Sequence, residues 1–302
     1  MTINATPELP EFEYIRPSNL TEACQFLAQH ADEARPFMGG TDVFVRMRDG
    51  FWKQKYLVDV KNLDGTNELT FDPQNGLTVG AAVNMNRVIA APEVQAHYPL
   101  LAEAARTVAS YQLRTRATIA GNLCNASPAG DTTGACLVLG SVLHIHGQDG
   151  FREEPLATFF LGPGRTRLKA GDVATALHFP LPPAGCAGKY IKLGRNQLSD
   201  LAIVGVTVLG FPDAGAPSGY RFRIALASVA PVPLVAAAAQ VYLAENPPTS
   251  TAFKEAARLA EEASAPIDDV RGSARYRQAM VRKLTYRALE AVWQKLKPQP
   301  GG

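Results

Sequence analysis

The sequence lacks a large charge excess, a long apolar run and any metal-binding spacing of cysteines. Its 302 residues carry a formal net charge of only +2, and no basic block interleaves with aromatic side chains, which argues against a nucleic-acid partner. The longest apolar runs, such as residues 234–243, are too short for a membrane span. The first ten residues lack the basic and apolar regions of a secretory signal. These absences favour a cytoplasmic globular protein without a membrane span.

Metal-binding patterns are also missing. The four cysteines lie far apart and match no zinc or iron–sulfur spacing, so buried free thiols are expected. His144 and His146 share one face of a predicted strand, but no cysteine or carboxylate lies near them in the sequence. We therefore expect no metal site in this chain. The cysteines are Cys24, Cys124, Cys136 and Cys186.

Two common nucleotide-binding motifs are absent. No GxxxxGK[ST] sequence occurs, which excludes a P-loop. The segment Gly162-Pro163-Gly164 begins like a dinucleotide-binding fingerprint, but Arg167 occupies the third glycine position and Pro163 disrupts the strand-to-helix geometry. No nucleophile or acid–base pair stands out either, so the sequence predicts no catalytic residue.

The most informative stretch that is present covers residues 118–131, TIAGNLCNASPAGD. Glycine, asparagine and proline interrupt both helices and strands, and Ile119, Leu123 and Cys124 make the stretch too apolar for a surface turn. The pattern predicts a buried loop, rather than a helix or strand, whose backbone N–H groups face a polar group that is not protein.

A second glycine loop, Met38-Gly39-Gly40-Thr41-Asp42, lies about eighty residues upstream. It connects a predicted strand, residues 34–38, to a predicted helix that starts near Asp42, so its N–H groups favour an anion. A glycine pair needed only for the turn is the alternative. The central stretch also ends at a predicted helix, with Asp131 near its N-cap. Two such loops could hold one large anionic ligand.

The remaining pattern predicts further strands and helices, with a domain boundary in the proline-rich residues 180–185. Ser18 is the predicted cap of the first helix, and residues 298–302 form a predicted disordered tail. Lys192 lies where a strand enters a turn, and it either projects towards the domain cleft or lies at a solvated hairpin tip. The predicted strands cover residues 11–16, 56–60, 69–71, 77–81, 142–145, 172–179, 190–194, 202–210 and 220–228, and the helices 20–27, 86–90, 99–109, 132–139, 253–263 and 275–296.

Several motifs in order resemble those of one family, the FAD-binding (medium) subunits of the molybdenum hydroxylases, of xanthine dehydrogenase and carbon monoxide dehydrogenase type. The resemblance covers about residues 10 to 295, and the central fourteen-residue motif is its most specific part. The motifs are GGTD at residues 39–42, TIAGN at 118–122, ASPAGD at 126–131, KLGR at 192–195 and DVRGSARYR at 269–277.

The resemblance implies an α+β fold: a FAD-binding domain of the p-cresol methylhydroxylase and vanillyl-alcohol oxidase type, made of two α/β subdomains, followed by a C-terminal α+β domain with an antiparallel sheet and helices. The implied boundaries are residues 1–60 and 61–183 for the two subdomains and 184–302 for the last domain. FAD is the implied cofactor of this chain. The molybdenum-pterin cofactor and [2Fe-2S] clusters are implied only in partners, a large and a small subunit, with a dimer of heterotrimers as one arrangement.

The resemblance also implies which residues bind FAD. Residues 36–43 and 118–122 would line the pyrophosphate and ribityl chain, and Asp131 would bind near the ribityl or adenosine hydroxyls. Lys192 would reach the polar edge of the flavin, and Leu201 would pack near the isoalloxazine ring. The implied positions are Pro36, Phe37, Met38, Gly39, Gly40, Thr41, Asp42, Val43, Ala109, Thr118, Ile119, Ala120, Gly121, Asn122, Asp131, Ala174 (through its backbone), Lys192 and Leu201.

The implied function is electron transfer: the subunit takes electrons from the [2Fe-2S] clusters of a partner and passes them from FAD to an external acceptor. Two alternatives stay open. One is a stand-alone flavin reductase or oxidase on the same scaffold, similar to enolpyruvyl-UDP-N-acetylglucosamine reductase. The other is an assembly scaffold that has lost FAD, which the two intact glycine loops disfavour.

Overall fold

The computed structural model describes residues 8–196 and 199–297, which form three main sheets and one small hairpin sheet. The α+β class predicted from the sequence is confirmed. The predicted tail, residues 298–302, lies outside the described residues. None of the helices in the described residues has the length and apolar character needed to cross a membrane.

The first sheet is parallel and lies between two helices. Its strands are β1 (Glu13–Ile15), β2 (Ala34–Phe37) and β3 (Tyr56–Asp59), in the order β1-β3-β2, and its helices are α1 (Leu20–Gln29) and α2 (Val43–Arg48). One face packs Val58 against Ala23 and Leu27, and the other packs Leu57 against Met47. Parallel strands require such crossover helices, so the glycine loop after β2 lies at one edge of this layer.

The predicted cap of α1 is one residue early. Asn19 is the N-cap, since its side-chain oxygen accepts from the backbone N–H of Glu22 at 2.9 Å. Ser18 instead donates to the Glu22 carboxylate through both its backbone N–H and its hydroxyl. Both residues therefore stabilise this helix start: Asn19 caps the backbone, and Ser18 binds the Glu22 side chain.

The second sheet is antiparallel, in the order β4-β5-β10-β6-β7. Its helices contribute to the largest core, in which Tyr98, Phe159 and Phe179 are fully buried. The helix α4 was not predicted; prolines at the starts of α4 and α5 divide this region into two short helices. The strands are β4 (Leu69–Asp72), β5 (Gly76–Gly80), β6 (Val142–Gly147), β7 (Gly150–Pro155) and β10 (Val173–Phe179). A small hairpin pairs β8 (Phe160–Gly162) with β9 (Arg165–Thr166). The helices are α3 (Met85–Ala90), α4 (Pro92–His97), α5 (Pro99–Arg106), α6 (Tyr111–Arg114), α7 (Ile119–Cys124), α8 (Thr133–Val138) and α9 (Leu156–Phe159).

The third sheet is antiparallel in the order β11-β12-β13-β14, and its strand β12 is buried on both faces. One face packs on α10 and α12, which α11 covers in turn, and the other packs on α5 and α8. The approach to α8 is so close that a Cβ on Gly134 would lie 2.2 Å from the Thr207 hydroxyl. The elements are β11 (Ala187–Leu193), β12 (Val204–Pro212), β13 (Tyr220–Ala227), β14 (Leu234–Val235), α10 (Ala237–Glu245), α11 (Ser250–Ala263) and α12 (Ala274–Leu296).

Candidate functional site

The two glycine loops lie against each other. The backbone of Gly39 packs so closely on Arg116 that a Cβ at residue 39 would lie 2.2 Å from the Arg116 carbonyl oxygen. Close by, the Thr118 hydroxyl lies 4.0 Å from the Met38 sulfur. The first sheet therefore presents its loop to the start of α7, and the two motifs form one surface.

The first loop has a backbone that only glycine adopts easily. Gly40 has φ +73°, and a Cβ there would lie 2.6 Å from the Phe37 ring. Within the described part of the chain, the backbone N–H groups of residues 39–42 donate to no protein acceptor. They lie immediately before α2, where the helix leaves its own first donors unpaired.

The central stretch is partly a helix, so the prediction of a loop throughout residues 118–131 was wrong. Thr118 is extended (φ −119°, ψ 155°), and its hydroxyl accepts from the Gly121 N–H at 2.9 Å, which starts α7. Burial of Ile119 and Leu123 outweighs the poor helix propensity of Gly121. The N–H groups of residues 119 and 120 donate to no acceptor among the described residues, and they flank the first loop.

Asp131 joins the helices packed on the second sheet to strand β11 of the third sheet. Its carboxylate accepts from the Tyr190 hydroxyl at 2.6 Å and from Lys192 Nζ at 2.8 Å, while Lys192 also donates to the Thr107 carbonyl oxygen at 3.0 Å. Asp131 directly precedes Thr132, the N-cap of α8, but its carboxylate binds β11 instead of capping the helix. The alternative of a solvated hairpin tip is wrong for Lys192, whose side chain is only 13% exposed.

Burial controls the ionisation of this cluster. It raises the pKa of Asp131, and the charge and hydrogen bond of Lys192 and the hydroxyl of Tyr190 offset part of that rise. Burial and the neighbouring Asp131 carboxylate also raise the pKa of Tyr190, so the phenol stays protonated and donates. The cluster is therefore one cation, one carboxyl and one neutral donor.

The other predicted residues lie around these two centres. Ala109 (φ 45°) follows α5 in a segment whose carbonyl oxygens at residues 106 and 108 accept from Arg114. Ala174 is buried in β10 beside an irregularity in its pairing with β6. Leu201 is half-exposed just before β12. Residues 36–43 and 118–122 thus come together, as do Asp131 and Lys192.

Sequence reasoning missed two residues at this site. Tyr190 lies two positions before Lys192 on β11, so the two side chains share a face, and strand alternation could have identified it. Ser228 (φ 65°) donates its backbone N–H to the Pro128 carbonyl oxygen at 2.7 Å and thereby ties the central stretch to the third sheet. No sequence signal marks Ser228.

Known families match almost the whole of the chain. Residues 10–182 match the family described as FAD binding domain in molybdopterin dehydrogenase, and residues 189–292 match CO dehydrogenase flavoprotein C-terminal domain. The chain belongs to the FAD-binding medium subunits of the molybdenum hydroxylase family. The resemblance stated from the motifs is thereby confirmed.

Individual relatives agree with the family matches. The carbon monoxide dehydrogenase medium chain of Hydrogenophaga pseudoflava is 33% identical over 94% of this chain and 98% of its own length. The putative xanthine dehydrogenase FAD-binding subunit of Escherichia coli strain K12 is 30% identical over 92% and 95%. A solved chain of the Hydrogenophaga pseudoflava carbon monoxide dehydrogenase, 32% identical, superposes with a TM-score of 0.91 over 96% of this chain and 100% of that chain.

The two loops of this FAD-binding subunit suit the pyrophosphate of FAD. Gly39 lets the first loop pack directly on Arg116, which brings the two loops together. The unpaired N–H groups of both loops supply donors without a net positive charge. The buried amide oxygen of Asn125, at the end of α7, also has no partner in the described part of the chain. Among residues 8–196 and 199–297, no group of three or more His, Cys, Asp or Glu side chains could hold a metal ion.

Proposed function

We propose that this chain is the electron-transfer subunit of a multi-subunit molybdenum hydroxylase, taking electrons from a partner's [2Fe-2S] clusters and passing them from FAD to an external acceptor. The observation that carries the proposal is the close contact of the two glycine loops, Gly39 on Arg116 and Met38 on Thr118, with unpaired N–H groups on both loops. FAD supplies the redox chemistry when bound. The chain's own residues bind and orient it.

The proposed contacts follow the geometry. Residues 36–43 and 118–122 hold the pyrophosphate and ribityl chain through backbone donors. Ala109 and Ala174 contribute backbone contacts, and Leu201 lies against the flavin. Lys192 gives two of its three N–H donors to Asp131 and Thr107, which leaves one for the polar edge of the ring. Asp131 then acts on the cofactor by orienting this ammonium group.

The proposal includes a large subunit with the molybdenum-pterin cofactor and a small subunit with the [2Fe-2S] clusters, arranged as a heterotrimer or a dimer of heterotrimers. The chain belongs to a family of medium subunits, and this membership supports a division of labour among several subunits. We place the complex in the cytoplasm, since all four cysteines are free thiols. The proposed domains remain residues 1–60, 61–183 and 184–302.

Purification of the tagged full chain from its own cells tests this function. We expect FAD, iron and molybdenum to copurify in fixed ratios. The flavin should bleach when the complex meets its substrate anaerobically, in a panel of carbon monoxide, xanthine, nicotinate and glyceraldehyde. A chain isolated without iron and molybdenum that steadily oxidises NADPH would support the stand-alone flavoenzyme instead.

A further inference from the structure

One exposed surface has the composition of a protein interface. It is formed by Val45, Arg46, Arg48, Phe51 and Trp52 at the end of α2 and in the loop after it, and is called here the Phe51 patch. The Phe51 side chain is 77% exposed and Val45 is 51% exposed. Aromatic and arginine residues are enriched at interfaces and dominate their binding energy.

The loop that carries Phe51 is rigidly held. Gly50 has φ +75°, its N–H donates to the Met47 carbonyl oxygen, and the Phe51 N–H donates to the Arg46 carbonyl oxygen. This is the hydrogen-bond pattern of a Schellman cap. In such caps the residue at the position of Phe51 usually packs back on the last turn of the helix. Phe51 instead stays in water, on a backbone that is already ordered.

The charge of the patch is one-sided. Residues 45–53 contain Arg46, Arg48 and Lys53 against the single carboxylate of Asp49. Within residues 8–196 and 199–297, none of the three cations forms an ion pair. Two copies of this surface would repel each other, whereas an acidic partner would be attracted.

A further cation, Arg35, lies behind the Phe51 patch. The Arg35 guanidinium lies 3.6 Å from the centre of the Trp52 ring, and that of Arg46 lies 4.8 Å from it. Burial and the nearby Arg46 charge lower the pKa of Arg35. An anionic group at the patch would relieve this repulsion between like charges.

The patch is also close to the candidate cofactor site. Helix α2 has six residues and spans about 9 Å, and it starts directly after the first glycine loop. A protein that donates electrons to FAD must dock near the cofactor. From these observations together we infer that the Phe51 patch is the docking surface for the iron–sulfur subunit, which presents an apolar pocket with an acidic rim. This inference rests on the proposed function.

The test uses the tagged full chain purified from its own cells, with iron and molybdenum measured per chain by inductively coupled plasma mass spectrometry. The variant is the double substitution Phe51→Ser and Arg48→Glu, at two exposed positions. We expect iron per chain to fall about tenfold or more, as for the loss of a central interface anchor. FAD per chain and the melting temperature should stay at the wild-type values.

Phe151→Ser combined with Lys254→Glu is the matched control. Phe151 is 60% exposed on β7, and Lys254 lies on α11 without an ion-pair partner in the described part of the chain. This control should keep wild-type iron. Wild-type iron in the Phe51 variant would overturn the docking inference alone, whereas a wild-type chain without iron would overturn the proposed function. Loss of binding to phosphatidylglycerol vesicles, with iron retained, would assign the patch to a lipid surface instead.

Discussion

Lys192 Nζ lies 2.8 Å from Asp131 Oδ2, and this ion pair joins the third sheet to the helix layer of the second. The exposed fractions of the two side chains are 13% and 8%, so water screens the pair poorly. The Tyr190 hydroxyl occupies the other carboxylate oxygen, and the Thr107 carbonyl oxygen accepts from the ammonium group. The pair therefore ties β11 to the chain directly before α8.

Replacing Lys192 with methionine should destabilise the protein by about 3 kcal/mol, because it leaves the Asp131 carboxylate buried without its cation. The change should also raise the pKa of Asp131 further. Urea unfolding measures the loss in the free energy of unfolding.

Lys189→Met on the same strand is the control. The ion pair of Lys189 with Glu103 is partly exposed, so losing that pair should cost about 1 kcal/mol or less. Equal losses in the two variants would contradict the role given to Asp131.

Asp131→Asn should change how stability depends on acid pH. Burial raises the pKa of Asp131 above its ordinary value of 3.8, so the folded chain holds this proton to a higher pH than the unfolded chain. The stabilisation from this group is fully present below pH 3.8 and is lost as the pH rises through the folded pKa. Carboxylates with lowered pKa values, such as Asp59 and Asp269, act in the opposite direction.

The difference in the free energy of unfolding between the wild type and Asp131→Asn isolates this group. We expect the wild type to lose stability relative to Asp131→Asn as the pH rises above about 3.8. Urea unfolding at a series of acid pH values measures it. A difference that moves in favour of the wild type over that range would show that Lys192 outweighs burial and lowers the pKa of Asp131.

Thr118→Ala should release FAD, because the Thr118 hydroxyl starts α7 and orients the N–H groups beside the first glycine loop. Loss of such a cap costs about 1 kcal/mol, and misplaced donors should weaken FAD binding about tenfold. Flavin absorbance per chain after dialysis measures the retention of FAD.

The control is Thr249→Ala, which removes an equivalent cap from α11 in the last domain. It should cost similar stability and retain FAD; flavin loss in both variants would mean that global destabilisation releases the cofactor.

Much of the fold was predictable because its signals are local. The turn between β4 and β5, the glycine pair after β2 and the apolar periodicity of α11 and α12 each predicted an element that the structure contains. The helical start of residues 118–131 was not predictable from helix propensity. Ile119 and Leu123 stabilise it by packing in a core with residues that are distant in the sequence. Nor did local pattern show that Tyr190 would meet Asp131, because that contact forms only when two sheets dock.

Gly39→Ala should be among the most damaging single changes at the site. The added Cβ would lie 2.2 Å from the Arg116 carbonyl oxygen and 3.3 Å from Ala117 Cα, so one loop must move away from the other. Because the obstacle is backbone, a rotamer change cannot relieve it. We expect a stability loss of about 1–3 kcal/mol and loss of FAD beyond what that destabilisation explains.

Gly162→Ala is the control for Gly39→Ala. Gly162 lies in the β8 hairpin, and its Cβ would meet no atom within 4 Å, so it should retain both FAD and stability. Flavin per chain and urea unfolding, measured on both variants, separate the effects. Full flavin retention in Gly39→Ala would mean that FAD does not need the close approach of the two loops. The pyrophosphate would then have to bind through the start of α7 alone, where the N–H groups of residues 119 and 120 donate to no acceptor among the described residues.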